Sequence, residues 1–233
     1  LRELLHSGKR KLPLISAGCP SILNLIQIRF PNLMEHVVDY RPPVEVVASM
    51  ARREAERRHP DKKVGIFFIA PCTAKISFIK ESDEVVDSDI DKMIAISDIY
   101  KQVLQNLEEL KDEEIEDLEK AGMTGLRWPS PGGESLSLQT DDFVAVDGID
   151  KVIDIFEKIE DEKLDGLAFV ETEACRGGCF GGSLTVENSY SAKANIKPLI
   201  DEAKEKYGDR TLNLPGEEDE LLRNRPLCYR PVL

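Results

Sequence analysis

Long apolar stretches are missing from this chain, and so are the usual marks of export. Its longest apolar run, Val64 to Ala70, is far too short to cross a bilayer, and no secretory signal pattern opens the sequence. Positive charge is scarce: 31 Lys and Arg stand against 44 Asp and Glu, and no basic stripe offsets the net −13. That balance excludes a general binder of nucleic acid or of an anionic membrane and otherwise reads as solubility. The only histidines, His6, His36 and His59, show no ligand spacing and take surface or packing roles. No internal repeat is present. Cysteine is sparse too: five, an odd number spread along an acidic chain, do not make a secreted disulfide framework. Thiolates bound to metal in a reducing cytoplasm are the expectation instead.

What is there is enough for a sizeable core. A chain of 233 residues buries roughly 70–75% of its unfolded surface on folding, as one large domain or two lobes. It opens on Leu1 rather than Met, so a piece of a longer protein is expected. Strand and helix signals alternate. Lys11 to Ser16 is a short apolar run, and Pro20 suits the first position of a helix over Ile22 to Ile28. Pro42-Pro43 starts a second helix, Val44 to Arg58. Lys63 to Ala70 reads as a strand buried on both faces, and Met93 to Ile96 as another. Asp98 is the expected N-cap of a helix from Ile99 to about Leu110, followed by a very acidic helix over 112–121. Residues 122–139 read as a long functional loop with Trp128 as its anchor. A strand at Phe143 to Val146, a helix at Ile149 to Ile159, a strand at Gly166 to Val170 and a helix at Ser189 to Lys206 complete the series. Residues 1–208 form the folded domain and 209–233 an extended arm or linker. The class is α/β: two lobes of mainly parallel sheet flanked by helices.

Cysteines fall at telling places in that pattern. Cys19 follows the first strand, Cys72 follows the strand ending at Ala70, and Cys175 and Cys179 sit in a glycine-rich loop after Leu167-Ala168-Phe169-Val170. Ligands of open α/β sheets bind at the carboxyl ends of strands, so four thiols are expected on one rim, in the cleft between the lobes. Helix N-termini next to Cys19 and Cys72 put positive potential beside sulfur. The glycines let backbone N–H groups approach sulfur closely. A four-thiolate metal site follows, with iron–sulfur favoured over a compact zinc knuckle by the long sequence separations. Glu171 and Glu173 are expected to face solvent or cap the loop, and Cys228, in the proline-rich tail, is a free thiol.

Three segments then resemble, in order, the active-site signatures of iron-only (diiron) hydrogenases, usually written TSCCP, MPCxxK and MACxxGCxxGG. They are Ser16-Ala17-Gly18-Cys19-Pro20, Ala70-Pro71-Cys72-Thr73-Ala74-Lys75 and Glu173 to Gly182, and the resemblance spans roughly Leu12 to Asn195. The resemblance implies an H-cluster: a 4Fe–4S cluster linked to a diiron unit that carries CO, CN and azadithiolate ligands. Carried over, Cys19, Cys72 and Cys175 are cluster ligands and Cys179 bridges to the diiron unit. Lys75 donates a hydrogen bond to a cyanide, and Ala70, Gly177 and Gly178 contact the cofactor. Dihydrogen and protons, a ferredoxin-like electron donor or fused ferredoxin domain, and maturation proteins are the implied partners, and an anaerobe the implied setting.

The departures point to the divergent, sensory branch of that family, whose members join such a domain to a signalling output domain. The proton-relay cysteine that precedes the first ligand is Gly18 here, the methionine that opens the second motif is Ala70, and Pro42 replaces a serine. The acid expected beyond Lys75 is absent, as is the upstream segment that lines the diiron pocket. Gly132-Gly133-Glu134 and Leu184 to Asn188 resemble the sensory branch more loosely. Loss of general acid–base help is worth about 10²–10⁴ in rate, so low turnover is expected. The alternative is a 4Fe–4S redox sensor or electron-transfer module without diiron.

Overall fold

The computed structural model describes residues 1, 5, 10–83, 88–109, 121–138 and 140–207. The expected acidic helix at 112–121, save its last residue, the 209–233 arm, His6 and Cys228 lie outside those residues. The architecture is mixed α/β with two parallel sheets flanked by helices.

The larger sheet has three strands: β1 (Leu14–Ile15), β4 (Phe143–Asp147) and β5 (Phe169–Glu173), in the order β1-β5-β4. Parallel pairing puts Leu14 opposite Phe169 and Val144 opposite Val170. On one face, α1 (Pro20–Arg29) and α7 (Ile149–Glu160) bury Ile22, Leu23, Ile26, Val152 and Phe156 against Ile15 and Val170. Phe30 meets Phe156 edge to face, with ring centroids 5.5 Å apart. The opposite face packs Leu14 and Phe169 on Val38 and Leu138. A strand with neighbours on both edges and cores on both faces is wholly buried, and β5 is so at every position.

The second sheet pairs β2 (Phe67–Ala70) with β3 (Lys92–Ala95), in register Phe68 to Met93. The helix α2 (Pro43–Arg58) precedes β2, α3 (Thr73–Asp83) crosses from β2 to β3, and α4 (Ile96–Glu109) leaves β3 directly. Phe68 and Met93 point into a small core with Ala48, Ile79 and Ile90. A polar network braces α2 against the segment before β3: Glu45, buried, accepts from Ser88 at 2.8 Å and pairs with Arg41 at 3.5 Å, while Arg52 reaches the more exposed Asp91 at 2.6 Å. Two further short helices, α5 (Met123–Arg127) and α6 (Gly133–Ser137), precede β4, and α8 (Ser189–Tyr207) closes the series, with Pro198 inside it. Among the described residues no helix is long and apolar enough to cross a membrane.

Several expectations need correction. The Lys63–Ala70 strand is shorter and buried on one face only: Phe67 and Ile69 remain 55% and 48% exposed because the small core lies on the Phe68 side. Asp98 is not an N-cap but lies in the first turn of α4, which begins at Ile96 straight from the strand. The strand expected at Gly166–Val170 runs from Phe169 to Glu173, and Glu171 and Glu173 are buried rather than facing solvent. Their carboxylates are charged in a sequence but central in the sheet. The long 122–139 loop contains α5 and α6 and is packed, with Ser135 fully buried. His36 packs as expected, its Nδ1 at 2.8 Å from the Pro13 carbonyl, and His59 is exposed.

Candidate metal centre

Each cysteine sits where a strand has ended and the chain turns. Cys19 is the N-cap residue of α1, its carbonyl accepting from Ile22 and Leu23, and Pro20 begins the helix where no N–H is needed. Cys72 directly precedes α3, again after a strand. Cys175 and Cys179 flank the turn that leaves β5. Gly177 there has φ +84°, and its N–H donates to the Asp147 carboxylate at 2.6 Å.

Close backbone packing ties these three segments together. A Cβ on Gly182 would stand 2.3 Å from the Pro71 carbonyl oxygen, so only glycine lets the loop lie on the Cys72 turn. Leu184 N–H donates to that same carbonyl at 2.9 Å. Cys179 N–H donates to the Pro129 carbonyl at 2.9 Å, which brings the 122–139 segment to the loop as well. The result is a cavity of about 240 Å³ lined by Cys19, Cys72, Cys175 and Cys179 together, with Lys75, Gly18 and Gly178 in its wall. All four thiols are free and half-buried. Ala70 and Gly177 stand outside that wall. Ala70 is fully buried at the end of β2, and Gly177 packs on α8, where an added Cβ would lie 2.5 Å from Ser189 Oγ.

Lys75, one turn into α3, projects to the Cys72 side and donates to Cys179 Sγ at 3.3 Å. Burial pulls its ammonium down, but the facing Cys179, Cys72 and Cys19 outweigh that and leave it raised. Burial also pushes the Cys179 thiol up, with Lys75 opposing, and the Cys175 thiol up, with Cys19 and Cys72 adding to it. Thiols raised in this way at Cys175 and Cys179 suit metal binding coupled to proton release. Among the described residues no three His, Cys, Asp or Glu side chains are gathered for a single ion. Four free thiols facing one cavity are a soft donor set of the kind that iron–sulfur clusters take.

Carboxylates at this site were legible only in part. Glu134, from α6, reaches the cavity and accepts a short hydrogen bond from Ser16 Oγ. Burial raises it to about 7, opposed by that bond and assisted by Glu171. Glu173 is raised to about 8 by burial, with Glu171 and Asp147 adding, and its Oε2 has no hydrogen-bond partner among the described residues. Glu171 is held by Gly132 N–H at 3.0 Å, Ser135 N–H at 2.8 Å and Ser135 Oγ at 2.6 Å. The signal for Glu171 and Glu173 was their period-two spacing with Phe169, which places them on one face of a continuing strand.

The family description "Iron only hydrogenase large subunit, C-terminal domain" matches residues 1–138 and 133–183. No curated protein matches the chain. Solved structures share the fold. A variant of the FeFe-hydrogenase HydA1 from Chlamydomonas reinhardtii superposes with TM-score 0.60 at 17% identity, over 95% of this chain and 77% of that one. A HydA structure describing stepwise FeFe-hydrogenase H-cluster assembly gives 0.59 at 17% identity, over 94% and 77%. An FeFe-hydrogenase structure describing oxygen inactivation through the H cluster 2Fe subcluster gives 0.59 at 17% identity, over 93% and 76%. With the family match extending over most of its length, this chain belongs to the family of C-terminal domains of iron-only hydrogenase large subunits.

Proposed function

We propose that this domain holds a 4Fe–4S cluster on Cys19, Cys72, Cys175 and Cys179 and a diiron unit linked through Cys179, and that it interconverts or senses dihydrogen at low turnover. The observation that carries this reading is the convergence of four thiols from three separate turns on one cavity, with Lys75 bonded to one of them. The diiron unit, with its CO, CN and azadithiolate ligands, supplies the conversion of dihydrogen to two protons and two electrons.

The chain's own residues do the rest. Lys75, fixed by α3, offers its remaining donors to an anionic ligand such as a cyanide. Gly178, with φ +70°, lets the loop backbone run close beneath the thiols: an added Cβ would meet the Pro129 carbonyl at 2.5 Å. Pro42, Pro43, Phe68 and Trp128 contribute apolar wall, which excludes water and strengthens electrostatic contacts inside. Gly18 offers no proton-bearing side chain, and low turnover follows. Electrons are exchanged with a ferredoxin-like donor, maturation proteins deliver the diiron unit, and a signalling output domain reads the state of the site. Free thiols suit a reducing compartment such as the cytoplasm.

Infrared spectroscopy tests this on anaerobic protein reconstituted with iron and sulfide and then given a diiron precursor. Carbonyl and cyanide bands that shift under hydrogen are expected. Iron and sulfide near four each without such bands would leave the cluster-only reading, an electron-transfer or redox-sensing module. Neither iron nor bands would sink both.

A further inference from the structure

Two apolar surfaces around the smaller sheet have no cover among the described residues. The first is the outer face of β2 and β3. Register puts Phe67 beside Lys92 and Ile69 beside Ile94 on that face, while Phe68 and Met93 point into the small core. Parallel strands are ordinarily covered on both faces, and two strands alone are marginal without such layers. Here one layer is missing, and Phe67 and Ile69 stand in water.

The second surface is α4. Every residue from Tyr100 to Leu107 is exposed. At 3.6 residues per turn, Tyr100, Val103, Leu104 and Leu107 share an arc of about 100°, and each is 44–54% exposed. Asp98, Lys101 and Glu109 lie outside that arc, and Glu108 borders it. A helix with such a stripe ordinarily lays it on a core. Ala95 passes into Ile96 with no turn between strand and helix, and α4 leads away from the sheet it follows. Each surface is what the other lacks, yet within one chain they do not cover each other.

Length and charge match as well. Tyr100 to Leu107 spans about 11 Å of helix axis, and Phe67 to Ala70 about 10 Å of strand. A helix that covers parallel strands normally runs against their direction, as in a crossover connection. That direction sets the Glu108 and Glu109 end of α4 over the start of β2 and β3, where Lys62, Lys63 and Lys92 are exposed. Of the acids at that end of the sheet, Asp91 is already paired with Arg52 at 2.6 Å and Asp61 is exposed.

We propose that a second copy of this chain covers both surfaces: α4 of one protomer lies on the Phe67 and Ile69 face of the other, which returns its own α4 in exchange. The arrangement is two-fold symmetric, so a single operation buries both stripes and both sheet faces. Because β2 runs directly into Pro71 and Cys72, the contact lies on a strand that carries one turn of the metal cavity. Each helix-on-sheet contact is small, and a reversible dimer with Kd on the order of 10 μM is expected.

Sedimentation of the full chain under reductant, from about 1 to about 200 μM, tests this. The parent is expected to pass from monomer to dimer over that range. Leu104→Glu with Leu107→Glu, and separately Phe67→Thr with Ile69→Thr, should each stay monomeric with unchanged far-ultraviolet dichroism. Mixed in equal amounts, these two proteins should form a dimer, because the first keeps an intact sheet face and the second an intact helix. A charge test leaves every apolar contact in place: Lys62→Glu with Lys63→Glu and Lys92→Glu should weaken the dimer about 10-fold, and adding Glu108→Lys with Glu109→Lys should restore most of it. A parent that is monomeric at the highest concentration overturns the proposal, including when hydrogen exchange shows α4 protected by a cover within the chain. A sheet-face variant that dimerises like the parent shows helix-to-helix pairing and also overturns it, as does a mixture that stays monomeric.

Discussion

Lys75 Nζ lies 3.3 Å from Cys179 Sγ although the two residues are 104 positions apart. The contact joins α3 to the loop after β5 and thus the two sheets to each other across the cavity. It also sets the charge of the site, because the ammonium acts on all four thiols.

Removing that cation has a direction that can be read without any cofactor. Lys75→Met takes away the group that lowers the Cys179 thiol, leaving burial unopposed there. Cys179 should ionise at higher pH and react more slowly with iodoacetamide at pH 8. An alkylation rate equal to the parent's would mean that Lys75 does not govern this sulfur.

Gly18→Cys should fold. Its Cβ meets Ser16 Oγ at 3.3 Å, a tight contact with a hydroxyl that can rotate, so the cost is expected below about 1 kcal/mol by thermal melting. In loaded protein it should raise hydrogen evolution by about 10²-fold or more. An inert Gly18→Cys that shows the expected infrared bands would argue for a sensor whose turnover is limited elsewhere.

The stability of cofactor-free protein should fall as pH rises. Glu134 is raised from 4.5 to about 7, so the folded state holds a proton that the unfolded state has released. Its contribution is complete below pH 4.5 and is lost progressively up to about pH 7, a change of roughly 3 kcal/mol. Glu173, raised to about 8, acts in the same direction over a longer window. Urea unfolding at pH 5 and pH 7.5 should therefore show a smaller pH effect in Glu134→Gln, and equal effects in both proteins would refute the assignment.

Gly182→Ala tests the packing of the loop on the Cys72 turn. Its methyl would stand 2.3 Å from the Pro71 carbonyl oxygen, which is backbone and cannot rotate away. A loss of roughly 1–3 kcal/mol and a sharp drop in iron bound per chain are expected, with far-ultraviolet dichroism retained. Full iron uptake would show that the turn adjusts.

Phe156→Ala should cost about 3–5 kcal/mol, because this side chain is fully buried and meets Phe30 in the larger core. Denaturant unfolding measures it, and a loss under about 1 kcal/mol would contradict the packing described.

Local signals carried a good part of the fold. Pro20 and Pro43 open helices where the sequence places them, Phe143 to Val146 and Met93 to Ile96 mark strands, and the turns bearing Cys19, Cys72 and Cys175 follow strand ends. Such features depend on a few neighbouring residues, through capping, proline geometry and apolar periodicity. The three ordered cysteine segments were legible for the same reason.

Burial was decided elsewhere. Charge alone places Glu171 and Glu173 in water, and only the position of β5 between two strands puts them inside. Phe67 and Ile69 look like core, and only the one-sided cover of the small sheet leaves them half exposed. Glu134 is 118 residues from Ser16, and no spacing rule predicts that α6 would swing it to the Gly18 turn. Sequence by itself determined most of the strands, the longer helices and which thiols stand at strand ends, since these follow from local geometry. Tertiary structure alone decided which carboxylates enter the cavity, because burial and electrostatic environment arise from chain segments that meet only when the sheets have packed.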